Sequence, residues 1–290
     1  MLTSLLSAYP NGINFDGFTY PGEHDAVVTF YALCIVTGAL VAWFLASWKA
    51  HKRGYPWDTY DIVFLWAFPA GIVGARIWYV IAQWETEFSN RAFIDVFKTW
   101  EGGMAIQGGV ILGAIAGLLV IKFRRKGLSV FDAADFAVPG ILIAQAMGRW
   151  GNFLNQEVYG LIVDQSTWSF VPDWILNNMI IGGSFRVPLF LLEGVINIAG
   201  YYVLTHFIKI AFNKFYKSGD ILFSYFAWYG IVRLILEPLR DAEFNMGVGS
   251  DLKAVTMAII FIVGGVLGVV INHIVRMRID KKTSKSASVR

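Results

Sequence analysis

Seven long apolar segments, separated by short or polar links, dominate the pattern of hydrophobic and polar residues along the chain. Each segment is close to or above the roughly 20 residues with which an α-helix crosses the hydrocarbon core of a bilayer. The segments are 27–48, 61–82, 104–121, 134–153, 187–208, 220–238 and 254–275. The pattern therefore predicts an all-α integral membrane protein with seven transmembrane helices.

Basic residues concentrate in alternate links, which predicts the orientation of the helices. They follow the first, third, fifth and seventh segments: Lys49, Lys52, Arg53, Lys122, Arg124, Arg125, Lys126, Lys209, Lys214, Lys217, Arg276, Arg278, Lys281 and Lys282. Because lysine and arginine favour the cytoplasmic side, we expect the N-terminus outside and the C-terminus in the cytosol. Residues 1–26 then form an extracytoplasmic arm, 27–279 the transmembrane domain, and 280–290 a polar cytosolic tail that we expect to be disordered.

Two outer links are longer than a turn, 85–103 and 155–186. The second carries Trp168, Phe170 and Trp174, and its aromatic content suggests a small extracytoplasmic cap on the membrane. A flexible loop has the same composition, so the sequence leaves both possibilities open.

Composition supports an integral membrane protein, and the absence of several motifs argues against other classes of function. Hydrophobic residues make up 56% of the 290 residues, and mean hydropathy is +0.55. The N-terminal stretch lacks a basic region ahead of an apolar core, so it does not read as a cleaved signal peptide. The single Cys34 permits no disulfide within the chain. No cluster of metal ligands, nucleophile elbow or phosphate-loop motif occurs, so we expect no metal, and no nucleic acid as partner.

Polar residues inside the predicted spans lie almost entirely in the outer half of the membrane. They are Arg76, Gln107, Arg149, Asn152, Glu193, Arg233 and Glu237, and only Asp135 falls at an inner end. Charges within a bilayer are costly and are typical of functional sites. Since arginine presents a planar fork of donors that fits phosphate, the pattern favours a cavity that holds an anionic lipid at the outer leaflet.

Spacing places some of these residues together and leaves other roles open. Arg149 and Asn152 are three residues apart, and Arg233 and Glu237 four apart, so each pair shares a helix face. The second pair could be a structural ion pair, Glu193 could be an arginine's partner, and Arg76 could be a packing or snorkelling residue.

A glycine-rich segment begins the third predicted span. Gly109, Gly113 and Gly117 form a stripe of small residues that permits close helix packing. Gly108 and Gly109 beside Gln107 could instead leave room for a lipid head group or a substrate chain.

Three motifs together resemble the prolipoprotein diacylglyceryl transferase family. They are Trp100-Glu101-Gly102-Gly103-Met104-Ala105-Ile106-Gln107-Gly108-Gly109, then Gly148-Arg149-Trp150-Gly151-Asn152-Phe153 running to Gly160, then Tyr229-Gly230-Ile231-Val232-Arg233 followed by Glu237 and Arg240. The resemblance runs from about Tyr31 to the seventh span. It implies seven spans with the N-terminus outside, in the bacterial cytoplasmic membrane, around a catalytic site that faces the outer leaflet.

The resemblance also implies a reaction. Family members transfer a diacylglyceryl group from phosphatidylglycerol to the lipobox cysteine thiol of preprolipoproteins, forming a thioether and releasing glycerol-1-phosphate, with no cofactor. The residues expected to be catalytic are Arg149, Arg233, Asn152, Tyr31, Gln107 and Glu157. Those expected to bind substrate are Arg149, Asn152, Gly108, Gly109, Gly160, Glu193, Glu237 and Arg240.

The chain departs from the family pattern at two places. Gln107 stands where many members have a histidine proposed as general base, and glutamine does not take up a proton near neutral pH. Val187 and Leu192 replace a histidine and a tyrosine that relatives often carry. The candidates for accepting the thiol proton are then Glu157, Glu193, Tyr31 or a phosphate oxygen of the lipid.

Two other functions fit part of the same pattern. A non-catalytic protein that binds or moves anionic lipid in the outer leaflet would also need arginines there. A transporter for organic anions would need polar residues in the inner half, where Asp135 stands alone. A monomer is the default expectation for the oligomeric state.

Overall fold

The computed structural model describes residues 13–19, 25–28, 30–89, 91–99, 102–124, 127–211, 215–241, 244 and 250–287. Of the residues discussed above, Trp100, Glu101, Arg125, Lys126 and Lys214 lie outside this description, as do most of the N-terminal arm and positions 288–290.

Helices long and apolar enough to cross a membrane number seven in the described part of the chain, as the hydropathy pattern predicts. Two strands and nine α-helices are named here in chain order: β1 (Ile13–Thr19), β2 (Asp25–Val28), α1 (Phe30–Lys52), α2 (Thr59–Ala82), α3 (Ile106–Arg124), α4 (Val130–Leu154), α5 (Asp173–Asn178), α6 (Leu189–Tyr202), α7 (Ile208–Ala211), α8 (Asp220–Leu236) and α9 (Ser250–Ala287). A π-helical stretch, Val203–Phe207, joins α6 to α7. The protein is therefore an all-α integral membrane protein.

The ends of the first and last spans correct the sequence-based boundaries. Val27 and Val28, assigned to the first span, instead pair with Asn14 and Ile13 in an antiparallel hairpin, so α1 begins at Phe30. The prediction of disorder beyond position 280 is wrong as far as Ala287, where α9 ends. No glycine or proline occurs between Gly268 and that point, and extending an existing helix adds one hydrogen bond per residue fixed.

The chain divides into two compact units, of which Trp43–Phe136 is one. Within it, α2 and α3 pack through facing glycines. A Cβ on Gly108 would collide with the Gly74 carbonyl. A Cβ on Gly109 or Gly113 would lie 3.1 Å from the Gly71 or Ala67 carbonyl oxygen, which is a tight contact. Helices meet this closely only where side chains are absent, so the glycine stripe serves helix packing.

The second unit comprises Met1–Ala42 and Ala137–Arg290. Here α1 meets α4 where Gly38 lies against Ala144, and α8 meets α9 where Gly265 lies against Ala227. Deeper in the unit, Leu142, Leu204 and Ile221 form a fully buried cluster.

The link 155–186 is a folded cap, which resolves the alternative left open by the sequence. It contains a 3₁₀ helix (Gln165–Trp168), α5, and the hairpin β3 (Ile180–Ile181) and β4 (Ser184–Phe185). Gly182 and Gly183 form the two-residue turn with φ of 61° and 78°, which a type I′ hairpin needs. Its core is apolar and consists of Phe153, Val171, Ile175, Leu176, Met179, Phe185 and Phe190.

Candidate active site

The end of α4 carries Arg149 and Asn152 on one face, as their spacing predicts. Arg149 donates from Nη1 to Asn152 Oδ1 at 3.0 Å, and its Nε lies 2.8 Å from Oε1 of Glu193 on α6. Glu193 is 7% exposed. The structure therefore bears out the alternative in which Glu193 partners an arginine, and this pair joins two helices next to the cap. A role of Glu193 in binding substrate stays a prediction.

The turn after α4 holds Glu157 in a strained backbone. Asn152 donates from Nδ2 to Glu157 Oε1 at 2.9 Å, and the Glu157 amide donates to the Asn152 carbonyl at 2.9 Å. The flanking residues Gln156 and Val158 have φ of 53° and 55°. A β-branched residue rarely adopts this left-handed conformation, and such strain clusters at functional sites. A continuous polar chain thus runs from Glu157 through Asn152 and Arg149 to Glu193.

The end of α8 adds two further arginines. Arg233 Nη2 lies 2.7 Å from Glu237 Oε2, which confirms the pairing that the four-residue spacing predicts, and Arg240 Nε lies 3.9 Å from the same oxygen. Arg240 Nε is buried and makes no hydrogen bond within the described residues. Burial lowers the pKa of the Arg240 guanidinium, the Arg233 charge lowers it further, and Arg149 and Glu193 act on it as well. Arg149, Arg233 and Arg240 therefore lie within electrostatic reach of one another and form one arginine cluster.

Gly160 sits where three backbone segments meet. Its amide donates to the Val187 carbonyl at 3.0 Å, it forms an antiparallel bridge with Arg240, and the next amide, of Leu161, donates to the Leu239 carbonyl at 3.0 Å. A Cβ at Gly160 would lie 2.6 Å from Val187 Cβ and 2.7 Å from the Leu239 oxygen. The closing glycine of the motif thus ties the cap to the segment that carries Arg240. Valine in place of histidine at 187 leaves this contact intact, because it uses the backbone.

Gly160→Ala is expected to destabilise the protein by about 1–3 kcal/mol, the usual cost of overpacking a close contact. Activity should fall with it, because the Arg240 segment must move. Thermal unfolding in detergent would measure the change. Gly264→Ala in α9 is the matched control, since a side chain there meets open space. Equal stability of the two variants would contradict the packing role.

Tyr31, in the first turn of α1, lies beside α4. A Cβ at Gly151 would lie 2.9 Å from the Tyr31 ring, so glycine there admits the aromatic side chain. The Tyr31 hydroxyl is close enough to Glu157 and Arg149 to interact electrostatically with both. The structure thus brings together Tyr31, Arg149, Asn152, Glu157, Gly160, Glu193, Arg233, Glu237 and Arg240.

Gln107, Gly108 and Gly109 begin α3 in the other unit. Gln107 is exposed, whereas Gly108 is buried against α2. Packing accounts for both glycines, and their role in binding substrate stays a prediction.

Arg76, whose role the sequence left open, is a structural residue within the unit Trp43–Phe136. It donates to four backbone carbonyls of the link to α3, at 2.7–2.9 Å: Asp95, Val96, Gly102 and Gly103. Gly102 and Gly103, with φ of 89° and 73°, shape the turn that presents two of these carbonyls. Arg76 therefore holds the segment that leads into Gln107.

Sequence reasoning missed two amide side chains near the cluster, the half-buried Gln145 and the buried Asn197. Each lies four residues from a cluster member on its own helix, Arg149 and Glu193 respectively. That spacing is the signal that could have found them, because residues four apart share a helix face.

Comparison with known proteins adds an independent finding. Residues 24–271 match the family model described as prolipoprotein diacylglyceryl transferase. A relative from Streptococcus agalactiae is 41% identical over 239 residues, which cover 81% of this chain and 90% of the relative. Relatives from Shouchella clausii and Lactococcus lactis subsp. cremoris are 39% and 42% identical over 242 and 220 residues, covering 82% and 76% of this chain and 84% and 81% of the relative. All three relatives are named phosphatidylglycerol–prolipoprotein diacylglyceryl transferase.

Proposed function

The chain belongs to the prolipoprotein diacylglyceryl transferase family, and we propose how its arginine cluster performs that transfer. As the names of its relatives state, the donor is phosphatidylglycerol and the acceptor a prolipoprotein. The chain is thus a multi-pass membrane transferase of lipoprotein maturation. In our proposal the acceptor atom is the lipobox cysteine sulfur, and the site opens to the outer leaflet of the bacterial cytoplasmic membrane.

The observation that carries the proposal is the convergence of Arg149, Arg233 and Arg240 at the ends of two spans. Two carboxylates, Glu193 and Glu237, orient them, so the guanidinium groups are fixed before a ligand arrives. Guanidinium forks match phosphate oxygens in shape and charge. Their place at span ends puts them at head-group depth, where a phospholipid carries its phosphate.

The transfer is a substitution at carbon. The cysteine thiol loses its proton, and the sulfur attacks the glyceryl carbon that bears the phosphate ester. That carbon–oxygen bond breaks, its electron pair goes to the phosphate oxygen, and glycerol-1-phosphate leaves. Because negative charge grows on the departing phosphate, prepositioned arginines lower the barrier at this step.

Glu157 is our choice of proton acceptor among the candidates. Glu193 is committed to Arg149 at 2.8 Å, whereas Glu157 accepts only from the neutral Asn152 side chain within the described residues. The strained turn holds its carboxylate toward Asn152, beside Tyr31. Gln107 is not among the candidates, because a glutamine side chain does not take up a proton near neutral pH.

A transfer assay on the purified protein tests the function. Phosphatidylglycerol in detergent micelles is mixed with a lipobox peptide that contains one cysteine. We expect mass spectrometry to find a diacylglyceryl adduct, with one glycerol-1-phosphate released per adduct. A serine peptide is the matched control and should give neither product. Bound phosphatidylglycerol without adduct would favour the alternative, a non-catalytic protein that binds or moves anionic lipid.

A further inference from the structure

Helices α4 and α6 meet through a ladder of paired residues below the cap. The rings of Phe153 and Phe190 stack with centroids 4.2 Å apart. One turn further from the cap, Arg149 pairs with Glu193. The helices therefore run antiparallel, because about one turn back along α4, from Phe153 to Arg149, corresponds to about one turn forward along α6, from Phe190 to Glu193.

Extended by one more turn, the same spacing places Gln145 on α4 and Asn197 on α6 at the next rung of this ladder. Each lies four residues, about 6 Å of helix rise, beyond the Arg149–Glu193 pair. Below it, Leu142, Leu204 and the adjoining Tyr201 close the core. Apolar packing resumes there, so this rung is the deepest polar level of the ladder.

Both amides of this rung have an unsatisfied polar atom. Asn197 is 3% exposed, and its Nδ2 is buried without a hydrogen-bond partner in the described part of the chain. Gln145 donates from Nε2 to the Tyr225 hydroxyl at 3.1 Å, but its Oε1 is likewise buried and unpartnered there. A buried donor without an acceptor is unfavourable, and especially so within a bilayer, where water does not compensate. A donor in such a place indicates a ligand group that accepts from it.

We propose that Asn197 donates a hydrogen bond to an acyl ester carbonyl of the lipid whose phosphate the arginine cluster holds. The inference rests on the proposed function, because it needs the phosphate at the level of Arg149. In a glycerophospholipid the ester carbonyls lie one glyceryl unit closer to the bilayer centre than the phosphate. One helical turn separates Asn197 from Glu193 in the same direction, so the amide lies at the depth of these carbonyls. Asn197 is then a specificity residue that distinguishes diacyl from dialkyl lipids.

The test compares phosphatidylglycerol with its dialkyl ether analogue, which lacks both carbonyls and keeps the head group. The two lipids compete in the same micelles for the lipobox peptide, and mass spectrometry counts the two adducts. We expect the wild-type protein to prefer the ester lipid by about fivefold to thirtyfold, the effect of one hydrogen bond to a buried donor. In Asn197→Leu the preference should fall to within about twofold. Because both adducts form in one sample, the ratio does not depend on the folded fraction.

Thr205→Val is the matched control on the continuation of α6. Thr205 is also buried, but its hydroxyl is satisfied by the Tyr201 carbonyl at 2.6 Å, so the ester preference should stay at the wild-type value. Asn197→Ala replaces the leucine variant if leucine prevents folding. A merely structural asparagine would leave the ratio unchanged. Equal use of both lipids by the wild type, or an undiminished preference in the Asn197 variants, would overturn the proposal. Absence of any adduct from the diacyl lipid would instead refute the proposed function.

Discussion

Arg149→Lys is expected to lower kcat/KM for diacylglyceryl transfer by about 100- to 1000-fold, although it keeps the positive charge. Arg149 uses Nε for Glu193 and Nη1 for Asn152, and it still has donors for a phosphate. A lysine ammonium is a compact charge that cannot hold three partners in one plane. Arg149→Ala should abolish detectable transfer. Initial rates at varied phosphatidylglycerol, with the peptide saturating, measure both effects.

The choice of lysine separates chemistry from folding. Alanine at 149 leaves the Glu193 carboxylate buried without its cation, and breaking such a pair is typically worth about 3–5 kcal/mol of stability. Lysine keeps that pair, so its thermal stability should stay close to wild type. Arg276→Lys is the matched control, because Arg276 also hydrogen-bonds buried groups, the Ser218 carbonyl and Asn272, but at the opposite end of α8 and α9. It should retain activity within about threefold. Full activity of Arg149→Lys would show that the Arg149 guanidinium is not needed to bind the phosphate.

The spans could be predicted from sequence because a bilayer leaves the backbone few choices. Polar backbone groups in hydrocarbon must pair within their own segment, so a long apolar run becomes a helix. The same argument fails at the edges of the membrane. Val27 and Val28 are as apolar as a span needs, yet they pair as a strand. Ser284 and Lys285 look disordered by composition, yet the helix continues through them.

Within the site, local pairs were predictable and tertiary ones were not. Arg149 with Asn152 and Arg233 with Glu237 follow from helix periodicity. That Glu193 would meet Arg149 required the antiparallel packing of α4 and α6. The left-handed turn at Gln156 and Val158 could not be foreseen, because no glycine marks it and valine disfavours it. Asn197 was missed because one amide in an apolar run leaves hydropathy almost unchanged.

The roles of the motif glycines could not be predicted from the sequence alone. Gly108, Gly109 and Gly160 all belong to motifs, but the sequence does not say whether a missing side chain admits substrate or a neighbouring backbone. The structure answers for Gly160, which lies between Val187 and Leu239. It also assigns Arg76 to the link before Gln107, a role that four carbonyl acceptors define.

Glu157→Gln should lower kcat at pH 7 by about 100- to 10,000-fold, the usual contribution of a general base. Glutamine keeps an acceptor for Asn152 Nδ2 and nearly the same shape, so the polar chain to Arg149 stays intact. Only the ability to take the thiol proton is removed. Binding of phosphatidylglycerol, measured by its KM, should change little.

The pH dependence identifies the reason for the loss. Without a base, the reaction relies on thiolate already present, and a cysteine thiol has a pKa of about 8.5. With that pKa the thiolate fraction rises about eightfold between pH 7 and pH 8, so the variant's kcat should rise by about the same factor. The wild-type kcat should change less than about twofold over the same interval, since Glu157 removes the proton during attack. Glu193→Gln provides the contrast, because it disturbs Arg149 rather than the proton, and its loss should not recover with pH. An equally flat profile in Glu157→Gln would exclude Glu157 as the base and leave a lipid phosphate oxygen or Tyr31 to take the proton.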